Sequence, residues 1–216
     1  MENILILDCD LDRGRDNTAK AIEDILKDKN FTRFRVCENI FPKNISQFTH
    51  IIITGSDANV YDDRKWIRKL EKLIKQIHNE RIRILGICFG HQLIAKVLGC
   101  SIVKGEKEVG IYKLKKHHIN NNILLKNISE MTFFEYHSWY IKDAPEGARI
   151  LASNKLCIQA IEFDDHTCGV QFHPEVNISL ATRFLKPEGK KIKFNKYQEM
   201  HYDLERKNIF NNFIEI

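Results

Sequence analysis

Short apolar runs alternate along the chain with stretches of helical spacing, the pattern expected of a parallel sheet covered by helices. Residues 4–7 form the first run, and 18–26 follow with helical spacing. Residues 34–37 read as a second strand, and 50–54 as a clear one ending at Gly55. Over 63–78, Trp66, Ile67, Leu70, Leu73, Ile74 and Ile77 recur at three- and four-residue intervals, which predicts an amphipathic helix. Residues 82–87 read as the next strand, and 92–98 as a helix stopping before Gly99. Between 100 and 172 the texture changes. Pieces at 101–104, 110–114, 132–136, 150–153, 158–163 and 169–172, separated by turn residues, suggest an antiparallel excursion before the chain rejoins the main sheet. Residues 183–202 are lysine-rich and poorly periodic, so they read as an exposed insertion or loop, and 202–214 read as a closing helix.

Composition narrows the class. The 216 residues, 43% hydrophobic and 29% charged, fit one α/β domain over 1–216 with a sizeable core. The net charge of +5 comes from scattered lysines, with clusters at 113–116 and 186–193 that lack an aromatic-rich nucleic-acid motif. A solvated basic surface is expected, with no nucleic-acid partner. No run reaches the length of a membrane span, and the first residues read as a strand rather than a signal peptide. Six cysteines (9, 37, 88, 100, 157, 168) lie far apart without a Cys-x-x-Cys, so reduced thiols and a cytoplasmic location are expected.

One cysteine has an unusual setting. In Gly86-Ile87-Cys88-Phe89-Gly90-His91-Gln92, glycines stand two residues to either side of Cys88, between an apolar run and a helical pattern. A buried structural cysteine packs wherever space allows and needs no such flanks. A turn too sharp for side chains, holding its central residue on display, is the geometry of a nucleophile elbow. Both readings stand on this stretch alone. A nucleophilic thiol needs a base, and the base needs an orienting group. His173 follows the apolar segment 168–172 and is succeeded by Pro174 and Glu175, so it can leave one strand end to meet a cysteine leaving another. The competing reading is a strand-to-helix turn with a polar cap. His91, at the helix start, reads as packing. His117-His118 has no matching acidic or cysteine partner, so no metal or other cofactor is expected. Asp8, Asp10 and Asp12 read as a polar strand-end loop or, alternatively, a cation site.

Together, Gly86-Ile-Cys88-Phe-Gly90-His-Gln92 and Gly169-Val-Gln-Phe-His173-Pro-Glu175-Val resemble the class I glutamine amidotransferases over about residues 1–180. The resemblance implies a flavodoxin-like α/β fold: a mostly parallel central sheet, helices on both faces, and a small antiparallel β excursion. It also implies a Cys88–His173–Glu175 triad that hydrolyses a γ-glutamyl amide through a thioester on Cys88. Phe89 would lend its backbone N–H to the oxyanion hole. Gly55 and Ser56 stand where many members carry a Ser-Gly-Gly-Pro turn that supplies the second donor, although Ser56 and Asp57 here replace its second glycine and proline. Gln92 would help hold glutamine, and the Tyr136-His137-Ser138-Trp139 main chain its amino-acid end, with Tyr136, Ser138 and Trp139 as contacts.

The stretches 54–63 and 108–112 look closest to free-standing GMP synthase-like proteins and γ-glutamyl peptidases. The expected partner is a small-molecule substrate, glutamine or another γ-glutamyl compound. No synthetase module is evident within these residues, so a separate synthetase subunit is the candidate ammonia acceptor. Three functions stay open: a glutaminase, a free-standing γ-glutamyl hydrolase or peptidase, and a non-catalytic binding or regulatory protein.

Overall fold

The computed structural model describes residues 2–14, 17–117 and 122–215. The chain runs β1 (Ile4–Asp8), α1 (Thr18–Ile25), β2 (Phe31–Arg35), a 3-10 turn (Val36–Glu38), β3 (His50–Ile53), α2 (Lys65–Asn79), β4 (Arg83–Ile87) and α3 (Phe89–Val97). It continues β5 (Ile102–Lys113), β6 (Lys115–Lys116), β7 (Thr132–Ile141), β8 (Arg149–Ser153), β9 (Ile158–Glu162), β10 (Thr167–Val170), α4 (Ile178–Leu185) and α5 (Lys196–Glu215).

Among the described residues the main sheet has the order β2-β1-β3-β4-β10-β9-β8-β6. Strands β2 to β10 in that order pair parallel, and β10 to β6 pair antiparallel. The parallel half is the doubly wound order of flavodoxin-like folds. Its sequence cause is visible in β1, where all four of Ile4, Leu5, Ile6 and Leu7 are buried, as central parallel strands require. Ile4 and Ile6 pack with Ile22 of α1 and Phe210 and Phe213 of α5. Leu5 and Leu7 pack with Trp66, Leu70 and Ile74 of α2 and Leu93 of α3. Helices therefore cover both faces. Each fully buried large side chain contributes roughly 1.5–3 kcal/mol.

The antiparallel excursion is real but partly separate. Strands β5 and β7 form their own two-stranded ribbon, with Glu108 opposite His137 and an irregular register between Lys104 and Glu108. The expected pieces at 101–104 and 110–114 are one strand, because the polar, exposed Gly105–Lys107 stretch only mimics a turn. Gly105 passes under Tyr140, where an added Cβ would stand 1.8 Å from the hydroxyl.

Other boundaries move for local reasons. The second strand is Phe31–Arg35 rather than 34–37, an edge strand whose alternating arginines blur its pattern. Helix α3 begins at Phe89 rather than at 92, because Cys88 itself is its N-cap. Strand β10 stops at Val170, so His173 sits three residues beyond it. Residues 183–202 are helical at both ends, since α4 runs to Leu185 and α5 starts at Lys196, with a largely exposed, non-helical stretch at 186–195 between them. A reciprocal cap opens α5, with Gln198 N–H donating to Asn195 Oδ1 at 2.9 Å and Asn195 N–H to Gln198 Oε1 at 2.9 Å. No helix of the described residues is long and apolar enough to cross a membrane.

Candidate active site

Cys88 occupies the turn between β4 and α3 with φ 48° and ψ −102°, a conformation that L-residues adopt only under constraint. The flanking glycines supply the constraint. A Cβ on Gly90 would stand 2.4 Å from the Ile53 carbonyl oxygen, and one on Gly86 would stand 2.6 Å from the Gly90 backbone. The turn can therefore press against β3 and fold back on itself only without side chains. Cys88 N–H is anchored to Val170 O at 2.9 Å. Phe89 is the first residue of α3, so its N–H has no intrahelical acceptor. Gln171 Nε2 lies 3.5 Å from the sulfur.

His173 leaves the end of the neighbouring strand, held by its N–H to Phe134 O at 2.8 Å. Its Nδ1 lies 2.8 Å from Glu175 Oε1, while Nε2 has no hydrogen-bond partner among the described residues by distance and angle. Burial works against the charged imidazole, but Glu175 and then the Cys88 sulfur outweigh it and hold His173 well above the ordinary histidine range. Gly55 closes the group. A Cβ there would stand 3.0 Å from His173 Cε1 and 3.8 Å from Cys88 Cβ.

Two adjoining cavities open on Cys88. One, of about 260 Å³, is lined by Ser56, Phe89, Gln92, Tyr136, Ser138 and Trp139, among others. The other, of about 200 Å³, takes in Gly55, Ser56, Tyr136 and His173, with an acidic and aromatic wall of Asp10, Asp12, Asp57, Phe134 and Phe184. The structure thus brings Cys88, His173 and the expected oxyanion and substrate-binding residues to one place, with Glu175 behind His173. Gln92 Nε2 donates to Trp139 O at 2.6 Å and to Gln171 Oε1 at 3.2 Å, linking α3, β7 and the residue touching the sulfur. A larger cavity, about 530 Å³, lies elsewhere, between 129–132 and the start of α5, and contains none of these residues.

Sequence reasoning missed a buried ionic cluster behind the second wall. His137 Nε2 lies 3.0 Å from Glu135 Oε2 and 3.3 Å from Glu108 Oε2. Asn154 Nδ2 donates to both Glu108 oxygens, at 2.8 and 2.9 Å. Burial pushes Glu135 up to about 7 against the pull of His137. His137, opposed by burial, is raised to about 9 by Glu108 and Glu135. Alternation puts Glu135 and His137 on one face of β7, but only the strand register sets Glu108 opposite them. Gln171, two residues before His173, and the acidic wall were also missed.

The remaining candidates have structural partners. His91 is fully buried over Gly169, where a Cβ would stand 2.4 Å from its Nδ1, and burial lowers its pKa to about 3. Asp8 pairs with Arg35 at 2.8 Å, Asp10 accepts from Thr18 N–H at 2.7 Å, and Asp12 accepts from Gly14 N–H at 2.8 Å, so the strand-end loop is internally bonded. His117 Nε2 lies 2.7 Å from Ser153 Oγ, and His118 falls outside the described residues.

The family model "Glutamine amidotransferase class-I" matches residues 16–199. A Saccharomyces cerevisiae protein named as a candidate glutamine amidotransferase is 29% identical over 205 residues, 88% of this chain and 81% of its own. γ-Glutamyl peptidase 3 of Arabidopsis thaliana is 28% identical over 154 residues, 67% of this chain; the match spans 62% of the peptidase's own length. A glutamine amidotransferase structure from Thermotoga maritima superposes with a TM-score of 0.80 at 20% identity, covering 100% of this chain and 99% of that one, a likeness of fold. With a family match across most of its length, this chain belongs to the class I glutamine amidotransferases.

Proposed function

We propose that the chain hydrolyses γ-glutamyl amides, with glutamine as donor, through a thioester on Cys88. The observation carrying this reading is the elbow: a cysteine at φ 48° whose sulfur opens on two cavities, beside a buried His173–Glu175 pair. In the proposed reaction the Cys88 thiolate attacks the γ-carbonyl carbon, forming a C–S bond and an oxyanion. The backbone N–H groups of Phe89 and the Gly55–Ser56 turn receive that charge, each such donor typically worth about 3 kcal/mol. The His173 imidazolium, oriented by Glu175, gives its proton to the leaving nitrogen as the C–N bond breaks. Neutral His173 then takes a proton from water, which attacks the thioester. Glutamate leaves, and the thiolate–imidazolium pair returns. The cavity lined by Gln92 and Tyr136–Trp139 receives the glutamyl part. A separate synthetase subunit is the candidate consumer of the ammonia.

A second reading has its own support. The other cavity lined by Cys88, about 200 Å³, offers more room than ammonia needs. Its Asp10, Asp12 and Asp57 suit a leaving amine that becomes protonated on release. A γ-glutamyl peptide donor fits that volume, in line with the similarity to a γ-glutamyl peptidase. The test is steady-state glutamate release from glutamine, glutathione and γ-glutamyl dipeptides by the isolated chain. Turnover of glutamine near the typical ~10 s⁻¹ supports the first reading. Fast turnover confined to peptides supports the second, and no turnover of any donor would leave the binding or regulatory alternative.

A further inference from the structure

At the opposite end of the sheet from Cys88, the last turn of α2 meets the β9–β10 hairpin at His78, Asp164 and His166. His166 Nδ1 lies 3.1 Å from Asp164 Oδ1 and 2.9 Å from Asp165 Oδ1. His78 Nδ1 lies 3.4 Å from Asp164 Oδ2 and 3.2 Å from Thr167 Oγ1. The two imidazoles are stacked, with centroids 5.1 Å apart. One possible ligand atom from each of His78, Asp164 and His166 falls within 4.8 Å of the other two. We propose that these three residues bind a divalent first-row transition-metal ion of the zinc type.

The orientation of His166 carries the argument. His166 Nε2 lies 3.1 Å from the His78 backbone carbonyl, which can only accept, so Nε2 holds the proton. Nδ1, the other ring nitrogen, is turned toward Asp164 and Asp165, where ring nitrogen and carboxylate oxygen can share one ion. A histidine that donates its second nitrogen to a carbonyl while turning the first inward is the usual orientation of a metal-ligating histidine. Donor spacing agrees. Ligands at ~2.0–2.1 Å around a tetrahedral ion stand ~3.3 Å apart, close to the 3.4 Å from His78 Nδ1 to Asp164 Oδ2. Asp164 Oδ1 already accepts from the N–H groups of His166 and Thr167, at 3.0 and 2.7 Å, leaving Oδ2 for the ion. Two imidazoles and a carboxylate suit Zn²⁺, Co²⁺ or Ni²⁺ rather than Ca²⁺ or Mg²⁺. Bound there, the ion would clip residue 78 to residues 164–166. Cys88 lies at the other end of β4, so the ion takes no part in the chemistry proposed there.

The probe is Co²⁺, added to the tag-free full chain and followed by visible absorption and equilibrium dialysis. One ion per chain is expected, with the d–d bands of an N/O site and no thiolate charge-transfer band. His166→Ala and His78→Gln should each weaken binding at least ~10-fold. The His78 side chain is 30% exposed, so His78→Gln should retain the fold, checked by circular dichroism without metal. Failure of the wild-type chain to take up cobalt stoichiometrically, equal uptake by wild type and His78→Gln, or a thiolate band would each overturn the proposal. The first two outcomes would leave a protonated histidine–carboxylate cluster in its place.

Discussion

The side-chain amide of Gln171 lies 3.5 Å from the Cys88 sulfur and at the same time accepts from Gln92 Nε2 at 3.2 Å. The residue touching the proposed nucleophile is thus held by the residue that also anchors β7 through Trp139 O. Gln171→Leu removes a donor aimed at the sulfur while keeping most of the volume. A hydrogen bond to a charged group is worth about 1.5–3 kcal/mol, so kcat should fall by ~10–100-fold with a smaller change in KM. Initial-rate kinetics check this, and an unchanged kcat would remove Gln171 from the site.

Elbow packing makes a stability prediction. A Cβ at Gly90 would stand 2.4 Å from the Ile53 carbonyl oxygen, a backbone atom that cannot step aside cheaply. Gly90→Ala should cost about 2–3 kcal/mol or more, a fall in Tm of roughly 4–12 °C. Gly147→Ala is the comparison: its Cβ meets open space, and only φ 82° resists it, at about 1 kcal/mol. Thermal melts that ranked the two variants the other way would contradict the close approach of elbow and β3.

The buried Glu108–His137–Glu135 cluster makes stability depend on pH. His137 is raised to about 9 in the folded chain by the two carboxylates, above its ordinary unfolded value. Its stabilising contribution is therefore fully present below about pH 6.5 and is lost as pH rises through about 9. At pH 6 it is on the order of 3 kcal/mol. His137→Gln should destabilise the chain clearly at pH 6 and much less at pH 9.5, measured by urea unfolding at each pH. A destabilisation independent of pH would mean that His137 is neutral and acts by packing alone.

How far the sequence reached depends on how each residue's role is encoded. The parallel core was legible because β1, β3 and β4 are unbroken apolar runs and α2 has a wide apolar stripe. The elbow was legible because only glycine fits at 86 and 90. The α5 start was not, because its first turns expose Tyr197, Met200 and Leu204 and carry lysines, so amphipathic periodicity is absent there. Only the Asn195–Gln198 cap marked it. The Glu108–His137 pairing depends on the register of strands about thirty residues apart, and no local pattern announces it. Gln171 escaped notice for a similar reason: its contact with Cys88 arises from the pairing of β10 with β4.

Covalent chemistry at Cys88 is the claim on which the proposed function rests, and trapping the acyl-enzyme tests it most directly. The chain would be mixed with its fastest γ-glutamyl donor, quenched in acid, digested and mapped by mass spectrometry. A γ-glutamyl adduct on the peptide carrying Cys88 is expected, with no adduct and a loss of turnover of about 10³-fold or more in Cys88→Ala. An adduct on Cys9, Cys157 or another cysteine, or wild-type turnover by Cys88→Ala, would contradict it.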